Sequence, residues 1–393
     1  MVCCWMKKTK ITYFTFSYAI CFVLYNVLFL DSVKADNFSN STIPAIEEAR
    51  QIIEDKYLIG NVSDRHLKNG AVDGMLRSLD PYSTYFDEED LKNFDNSTNG
   101  TFSGVGLEMV NTAGNNIMVS SVFKDAPADR AGIMVGDFIT QVDNQNTSGM
   151  KLNQVSKLVR GEQGTKVKLT MYRATTGETY SKVLTREAVK LKNVSSKVYD
   201  DNIAYIAVKM FNNQTYQSFV NHINSIRKKY DIDGLIIDLR NNPGGLLESA
   251  VDLANLFLSN GQLITSVKGR EGKKTFDYVA RNTKSVFEGV KIVILVNKGS
   301  ASASEILAGC LQDYGIATLI GERTFGKALV QEIFKMRSTN GAIKLTTGQY
   351  HTPKDKQING VGIKPDIEVE EKRAKNYDNI LNKAISYIRS EIK

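Results

Sequence analysis

The chain has 393 residues, 42% hydrophobic and 24% charged, which fits two or three globular domains and excludes a disordered, collagenous or multi-span membrane protein. Three of its four cysteines lie in the first 21 residues, and His66, His222 and His351 are far apart, which argues against a disulfide framework or a zinc site and leaves few candidates for a histidine-based triad. The net charge of +7 falls to +4 once residues 1–35 are set aside, and charges of both signs alternate along the rest, as on a mixed solvated surface rather than a nucleic-acid-binding one.

The N-terminus reads as an export signal, residues 1–35. Lys7, Lys8 and Lys10 precede a nearly charge-free apolar run over 11–30, and Val33-Lys34-Ala35 offers a small-residue cleavage site before Asp36. The run is also long enough to span a bilayer, so an uncleaved inner-membrane anchor is the rival reading. Either way the rest of the chain is expected outside the cytoplasm, in the periplasm or cell envelope. Residues 36–98 read as an N-terminal helical segment: Ile46, Ile52, Ile53, Leu67, Val72, Met75 and Leu76 keep helical spacing until Asp80-Pro81-Tyr82-Ser83 breaks it.

Residues 99–187 alternate short β patterns (117–122, 138–142 and 167–172) with helical ones (127–131 and 152–159). Gly104-Val105-Gly106-Leu107, followed by Asp125-Ala126-Pro127-Ala128-Asp129-Arg130-Ala131-Gly132-Ile133-Met134-Val135-Gly136-Asp137, resembles a PDZ domain, a β-sandwich-like fold with two helices. The resemblance implies that Gly104, Val105, Gly106 and Leu107 bind a peptide C-terminus. Glycines let successive N–H groups converge on a carboxylate while the peptide adds as a strand to an open sheet edge. Met109 stands where a dinucleotide fingerprint needs its third glycine.

Residues 188–393 read as an α/β unit with a C-terminal helix. Strands are expected over 203–211, 234–239, 290–296 and 318–320, and helices over 216–229, 246–258 and 306–314. Two of the strands run into loops rich in small residues, Arg240-Asn241-Asn242-Pro243-Gly244-Gly245 and Asn297-Lys298-Gly299-Ser300-Ala301-Ser302-Ala303-Ser304-Glu305. Ligand sites of α/β sheets lie at such carboxyl ends.

The second loop, Asp313-Tyr314-Gly315, and Gly321-Glu322-Arg323-Thr324-Phe325-Gly326-Lys327-Ala328-Leu329-Val330-Gln331 together resemble the carboxyl-terminal processing proteases, or tail-specific proteases, which are PDZ-containing Ser/Lys peptidases. The whole is then multidomain: a helical segment, a PDZ domain and an α/β protease core. The resemblance implies a serine endopeptidase with Ser302 as nucleophile, Lys327 as general base and Gln331 orienting the lysine. Oxyanion donors would be the N–H of Ala303 and one from Gly244 or Gly245. It implies no metal, cofactor or nucleic acid. It implies protein substrates with apolar C-terminal tails, and leaves open a lipoprotein adaptor and a homo-oligomer.

The residue types fit that chemistry. A serine hydroxyl needs a base, which a neutral lysine can supply. Bringing a lysine from about 10.4 to about 7 costs the ammonium roughly 4–5 kcal/mol, within reach of burial among Phe325, Leu329 and Val330. Ser302-Ala303-Ser304-Glu305 is also a capping box, so Ser302 alone could be a helix cap. Ala328 replaces a glycine usual in the family and would be strained if the site needs positive φ. Lys327 and Gln331 would lie about 13 Å apart on a straight strand, so contact requires a bend or helical turn.

Two other motifs fail. Gly321 to Lys327 satisfies G-x-x-x-x-G-K, but Ala328 replaces the magnesium-binding Ser/Thr of a P-loop. Four S-x-x-K matches stand without S-D-N or K-T-G. A non-catalytic PDZ adaptor that keeps the core as a scaffold is the remaining alternative.

Overall fold

The computed structural model describes residues 42–59, 62–112, 116–190, 192–200, 202–374 and 377–392, so the expected export signal lies outside the described residues. The chain divides into two units, residues 1–67 and 68–393. In the first, helix α1 (Thr42–Lys56) carries Arg50 between Glu47 and Glu54, at the spacing where side chains share a helix face.

In the second unit, helix α2 (Asp64–Arg77, begun in the first) leads to strand β1 (Thr84–Phe86) and helix α3 (Glu88–Thr98). Asp87 caps α3 by accepting the N–H groups of Glu89 and Asp90 at 3.0 Å.

The PDZ part comprises β2 (Thr101–Gly104), β3 (Leu107–Asn111), β4 (Ile117–Val122), α4 (Pro127–Arg130), β5 (Phe138–Val142), β6 (Gln145–Asn146), α5 (Leu152–Val159), β7 (Lys166–Arg173), β8 (Glu178–Thr185) and β9 (Glu187–Lys190). Its sheet runs β3-β4-β5-β7-β8, with β6 on β5, while β2 pairs with β9. Alternate residues fill its core, Ile117 and Val119 from β4 and Val167, Leu169 and Met171 from β7, as the two-residue strand period requires. Pro127 opens α4, where a missing N–H costs nothing. Among the described residues strand β3 pairs on one side only, leaving an open edge, and α5 packs against this strand.

The α/β unit follows as β10 (Val194–Tyr199), β11 (Ile203–Val208), α6 (Thr215–Arg227), β12 (Gly234–Asp238), α7 (Leu247–Asn255), β13 (Leu263–Lys268), β14 (Lys274–Val279), β15 (Lys291–Val296), α8 (Ala303–Asp313), β16 (Ala317–Gly321), β17 (Leu329–Lys335), β18 (Ala342–His351), β19 (Ile367–Glu368) and α9 (Asn379–Glu391). One sheet has the order β10-β11-β12-β15-β16-β19 and is parallel except for β10. Strands β12 and β15 are continuous apolar runs because both faces are covered. Leu235, Ile237, Ile292 and Ile294 pack with Phe219 of α6, Leu253 of α7 and Leu307 of α8. The intervening Ile236, Val293 and Leu295 pack with Ile380 and Ile388 of α9. The second sheet, β1-β18-β13-β14 with β17 on β18, has no counterpart in the sequence reading.

Candidate active site

Strands β12 and β15 are neighbours, so the loops at their carboxyl ends meet. Ala301 N–H and Ser304 Oγ both donate to the Asn242 carbonyl, at 3.0 and 2.9 Å, and Ser300 Oγ donates to the Leu239 carbonyl at 2.8 Å. Asn297 Oδ1 accepts the N–H groups of Asn241 and Gly299, at 2.9 and 3.0 Å. The turn so fixed holds Ser302 at φ 55°, ψ −116°, directly before α8. Six of the eight non-glycine residues at positive φ among the described residues are Asp or Asn, which tolerate that region; Ser302 is not. Such a conformation costs about 1–3 kcal/mol and persists where the surroundings impose it. In α/β-hydrolases a nucleophilic serine sits on a comparably strained turn between strand and helix.

Two backbone donors beside it are uncommitted. Neither Ala303 N–H nor Gly245 N–H has an acceptor among the described residues. Gly244 N–H donates to Asn242 Oδ1 at 2.9 Å, so of the two glycines the free donor belongs to Gly245. Gly244 serves by its smallness: a Cβ there would lie 2.8 Å from Ser302 Cβ and 2.9 Å from Ala303 N. A Cβ on Gly245 would lie 1.9 Å from the Phe211 carbonyl oxygen.

Glu305, fully buried, ties this turn to the segment bearing Lys327. Its Oε2 accepts the N–H groups of Ser302 and Lys327, each at 2.9 Å, and its Oε1 accepts Gly326 N–H at 2.8 Å and Thr324 Oγ1–H at 2.5 Å. Burial pushes its carboxyl above the usual range despite these four donors. Beside it the buried Tyr350 hydroxyl donates toward the Ser302 carbonyl at 3.0 Å and that of Lys327 at 2.5 Å, with burial and the nearby Glu305 charge holding the phenol firmly protonated.

Lys327 is half-buried, with Nζ 4.5 Å from the centre of the Tyr82 ring. Burial, followed by the charge of Lys344, pushes its amine below the usual lysine range, against the pull of Asp80. No hydrogen bond joins Lys327 Nζ to the Ser302 hydroxyl or to Gln331 among the described residues. Gln331 Nε2 instead donates to Thr346 Oγ1 at 3.3 Å. No turn intervenes between Lys327 and Gln331; β17 starts at Leu329, and its pairing with β18 slips by one residue beside Gln331. Ala328 is not strained: the positive φ belongs to Gly326 (89°), and buried Ala328 donates to Asn359 Oδ1 at 3.2 Å.

The first loop is anchored from below. Arg240, nearly all buried, forks onto Asp378 at the start of α9 with two bonds of 2.8 Å while also binding Asp238, and Asn297 Nδ2 donates to Glu371 Oε2 at 2.7 Å. Asp313 accepts Lys354 N–H and the Lys356 ammonium, at 2.9 and 2.6 Å, so the Asp313-Tyr314-Gly315 motif closes α8. Cys310 is buried in that helix and burial pushes its thiol up, as for a small core residue.

In the PDZ part, Gly104 to Leu107 form the link from β2 to β3. Gly106 has φ 79°, and a Cβ there would lie 2.2 Å from Ala126 Cβ. Val105 and Leu107 are buried in the PDZ core. Arg186 closes the far end of α5 through the Leu158 and Val159 carbonyls, at 3.0 and 2.9 Å.

Residues 202–369 match the model of peptidase family S41, residues 118–173 a PDZ domain and residues 26–90 the activating protease CtpB N-terminal domain. The carboxy-terminal-processing protease of Bartonella bacilliformis is 39% identical over 336 residues, 84% of this chain and 76% of that one. The chain belongs to the carboxy-terminal processing proteases. CtpA of Bacillus subtilis, of the same name, is 36% identical over 86% of this chain and 71% of its own. The solved structure of the photosystem II D1 C-terminal processing protease superposes with a TM-score of 0.52 at 29% identity, covering 82% of this chain and 86% of that one. The chain is thus a serine-type peptidase with a PDZ domain, and the protease reading prevails over the adaptor.

Glu305, Tyr350, Lys344, Asp80 and Tyr82 are absent from the sequence-level site. Glu305 is visible there only as the fourth residue of a capping box. Asp80-Pro81-Tyr82-Ser83 is visible only as a helix stop.

Proposed function

We propose that this peptidase recognises the C-terminal tail of a protein through its PDZ domain and hydrolyses it through an acyl-enzyme on Ser302. Ser302 Oγ attacks the scissile carbonyl carbon while its proton passes to Lys327 Nζ. The N–H groups of Ala303 and Gly245 hold the oxyanion, where one donor is typically worth about 2.7–4 kcal/mol. The C–N bond breaks as Lys327 returns the proton to the leaving amine. Water, deprotonated by the same amine, then releases the acyl group and restores Ser302. The observation that carries this reading is the strained Ser302, beside two uncommitted N–H donors and sharing the Glu305 carboxylate with Lys327. Gln331 orients Lys327 only once its amide leaves Thr346.

The open edge of β3 beside α5 fits an added peptide strand, with the Gly104 to Leu107 link at its end receiving the carboxylate. Apolar tails are the substrate class that the family resemblance suggests, and the peptide assay below tests it. A lipoprotein adaptor and self-association are tested by pull-down and sedimentation. Export to the periplasm or envelope rests on the lysine-flanked apolar run and is tested by cell fractionation and N-terminal sequencing.

The deciding experiment incubates the protein with a folded substrate bearing an apolar, unstructured C-terminus. The wild type is expected to cleave it, Ser302→Ala to bind without cleaving, and a trapped acyl-enzyme to add its mass to the peptide containing Ser302. Unchanged cleavage by Ser302→Ala would overturn the assignment.

A further inference from the structure

A second lysine shares the pocket of Lys327. Strand β18 lies between β1 and β17, and Lys344 on it stands opposite both Thr84 and Ile333. Thr346, two residues on and so on the same face, stands opposite Gln331. Aromatic side chains of the segment that ends in β1 lie on this face. Tyr82 places its ring 4.5 Å from Lys327 Nζ, and Phe86 places its ring 5.4 Å from Lys344 Nζ.

Among the described residues the pocket holds one carboxylate, that of Asp80. It is already committed to the N–H groups of Tyr82 and Ser83, at 2.7 and 2.8 Å, and to the hydroxyls of Ser83 and Thr346, at 2.7 and 3.3 Å. Neither lysine forms a salt bridge among the described residues. The neighbouring groups are neutral or bind the Lys327 backbone: Gln331 of β17 is held on Thr346, Tyr350 of β18 donates to the Lys327 carbonyl and Glu305 of α8 accepts its N–H.

We propose that Lys344 is a positioning residue for catalysis: confined with Lys327 against the single carboxylate of Asp80, its ammonium keeps the proton of the pair and leaves Lys327 as the free amine that accepts the Ser302 proton. Two cations sharing one counter-charge in a half-buried pocket titrate as a pair: their repulsion is mutual, so one of the two protons leaves at a pH below that of an isolated amine while the other stays. Burial lowers both amines, and for Lys327 the Lys344 charge lowers it further, with Asp80 opposing in each case. The Tyr82 ring face favours a cation and therefore works against deprotonation of Lys327. The second cation offsets it.

This inference rests on Lys327 as the base, and the two ideas are separable. The acid limb of the pH profile of kcat/KM is measured for the wild type, Lys344→Met and Lys344→Arg. Lys344→Met is expected to move that limb up by about one unit, a roughly tenfold loss below it that is recovered at higher pH, while Lys344→Arg leaves it in place. In parallel, the Lys327 side-chain amine is titrated by NMR in Ser302→Ala protein with and without Lys344→Met, a readout that needs no turnover. An unmoved Lys327 titration, or a Lys344→Met defect equal at every pH, overturns the proposal. Full turnover by Lys327→Ala would instead overturn the base assignment beneath it.

Discussion

Oε2 of Glu305 holds the backbone N–H of Lys327 at 2.9 Å and, at the same distance, that of Ser302. One buried carboxylate therefore fixes the spacing of two residues that lie on different loops. An amide at this position would replace one oxygen with an NH₂ group facing two N–H donors. Glu305→Gln is expected to cost about 3 kcal/mol of stability and to lower turnover at least about tenfold, measured by denaturant titration and by tail cleavage. A variant with wild-type stability and turnover would show that the two loops hold their spacing without it.

The strain at Ser302 predicts opposite effects on stability and activity. Ser302→Gly, freed of the left-handed penalty at φ 55°, is expected to be about 1 kcal/mol more stable than the wild type and inactive. Ser302→Ala keeps the penalty and is expected to melt near the wild-type temperature, also without turnover. Paired thermal melts and cleavage assays separate the two.

The glycines after β12 have different duties. Gly245→Ala puts a methyl 1.9 Å from the Phe211 carbonyl oxygen and is expected to displace the free N–H donor, lowering kcat by about 10²–10³ with KM little changed. Gly244→Ala meets Ser302 and Ala303 instead, so its defect is expected also in the rate at which a fluorophosphonate labels Ser302. Equal labelling rates in the two variants would count against the division.

Tail binding and chemistry separate at Gly106. Its φ is 79°, and a methyl added there would meet Ala126 Cβ at 2.2 Å, so Gly106→Ala is expected to weaken capture of an apolar C-terminal peptide at least about tenfold, read by fluorescence anisotropy. Fluorophosphonate labelling of Ser302 is expected to stay at the wild-type rate. Loss of both would join the PDZ link to the protease site.

Much of this was legible in the chain itself. Strands β12 and β15 announce themselves because sheets covered on both faces need unbroken apolar runs, and the loops after them carry the small residues that a tight turn needs. Ser302, Lys327 and the PDZ glycines are legible as motifs. The second sheet is not, since its central strand pairs Thr84 with Lys344 across a separation that no local period records. Glu305 is hidden for another reason: a capping-box glutamate and a carboxylate that joins two loops have the same sequence signature. Gln331 is legible by position, but its partner Thr346 depends on a slip in strand register that no spacing shows.

The fork of Arg240 onto Asp378 spans 138 residues. A growing polypeptide emerges from the ribosome with Ser302, Lys327 and both glycines before Asp378, so the loop of Gly244 and Gly245 gains this anchor only when the chain is nearly complete.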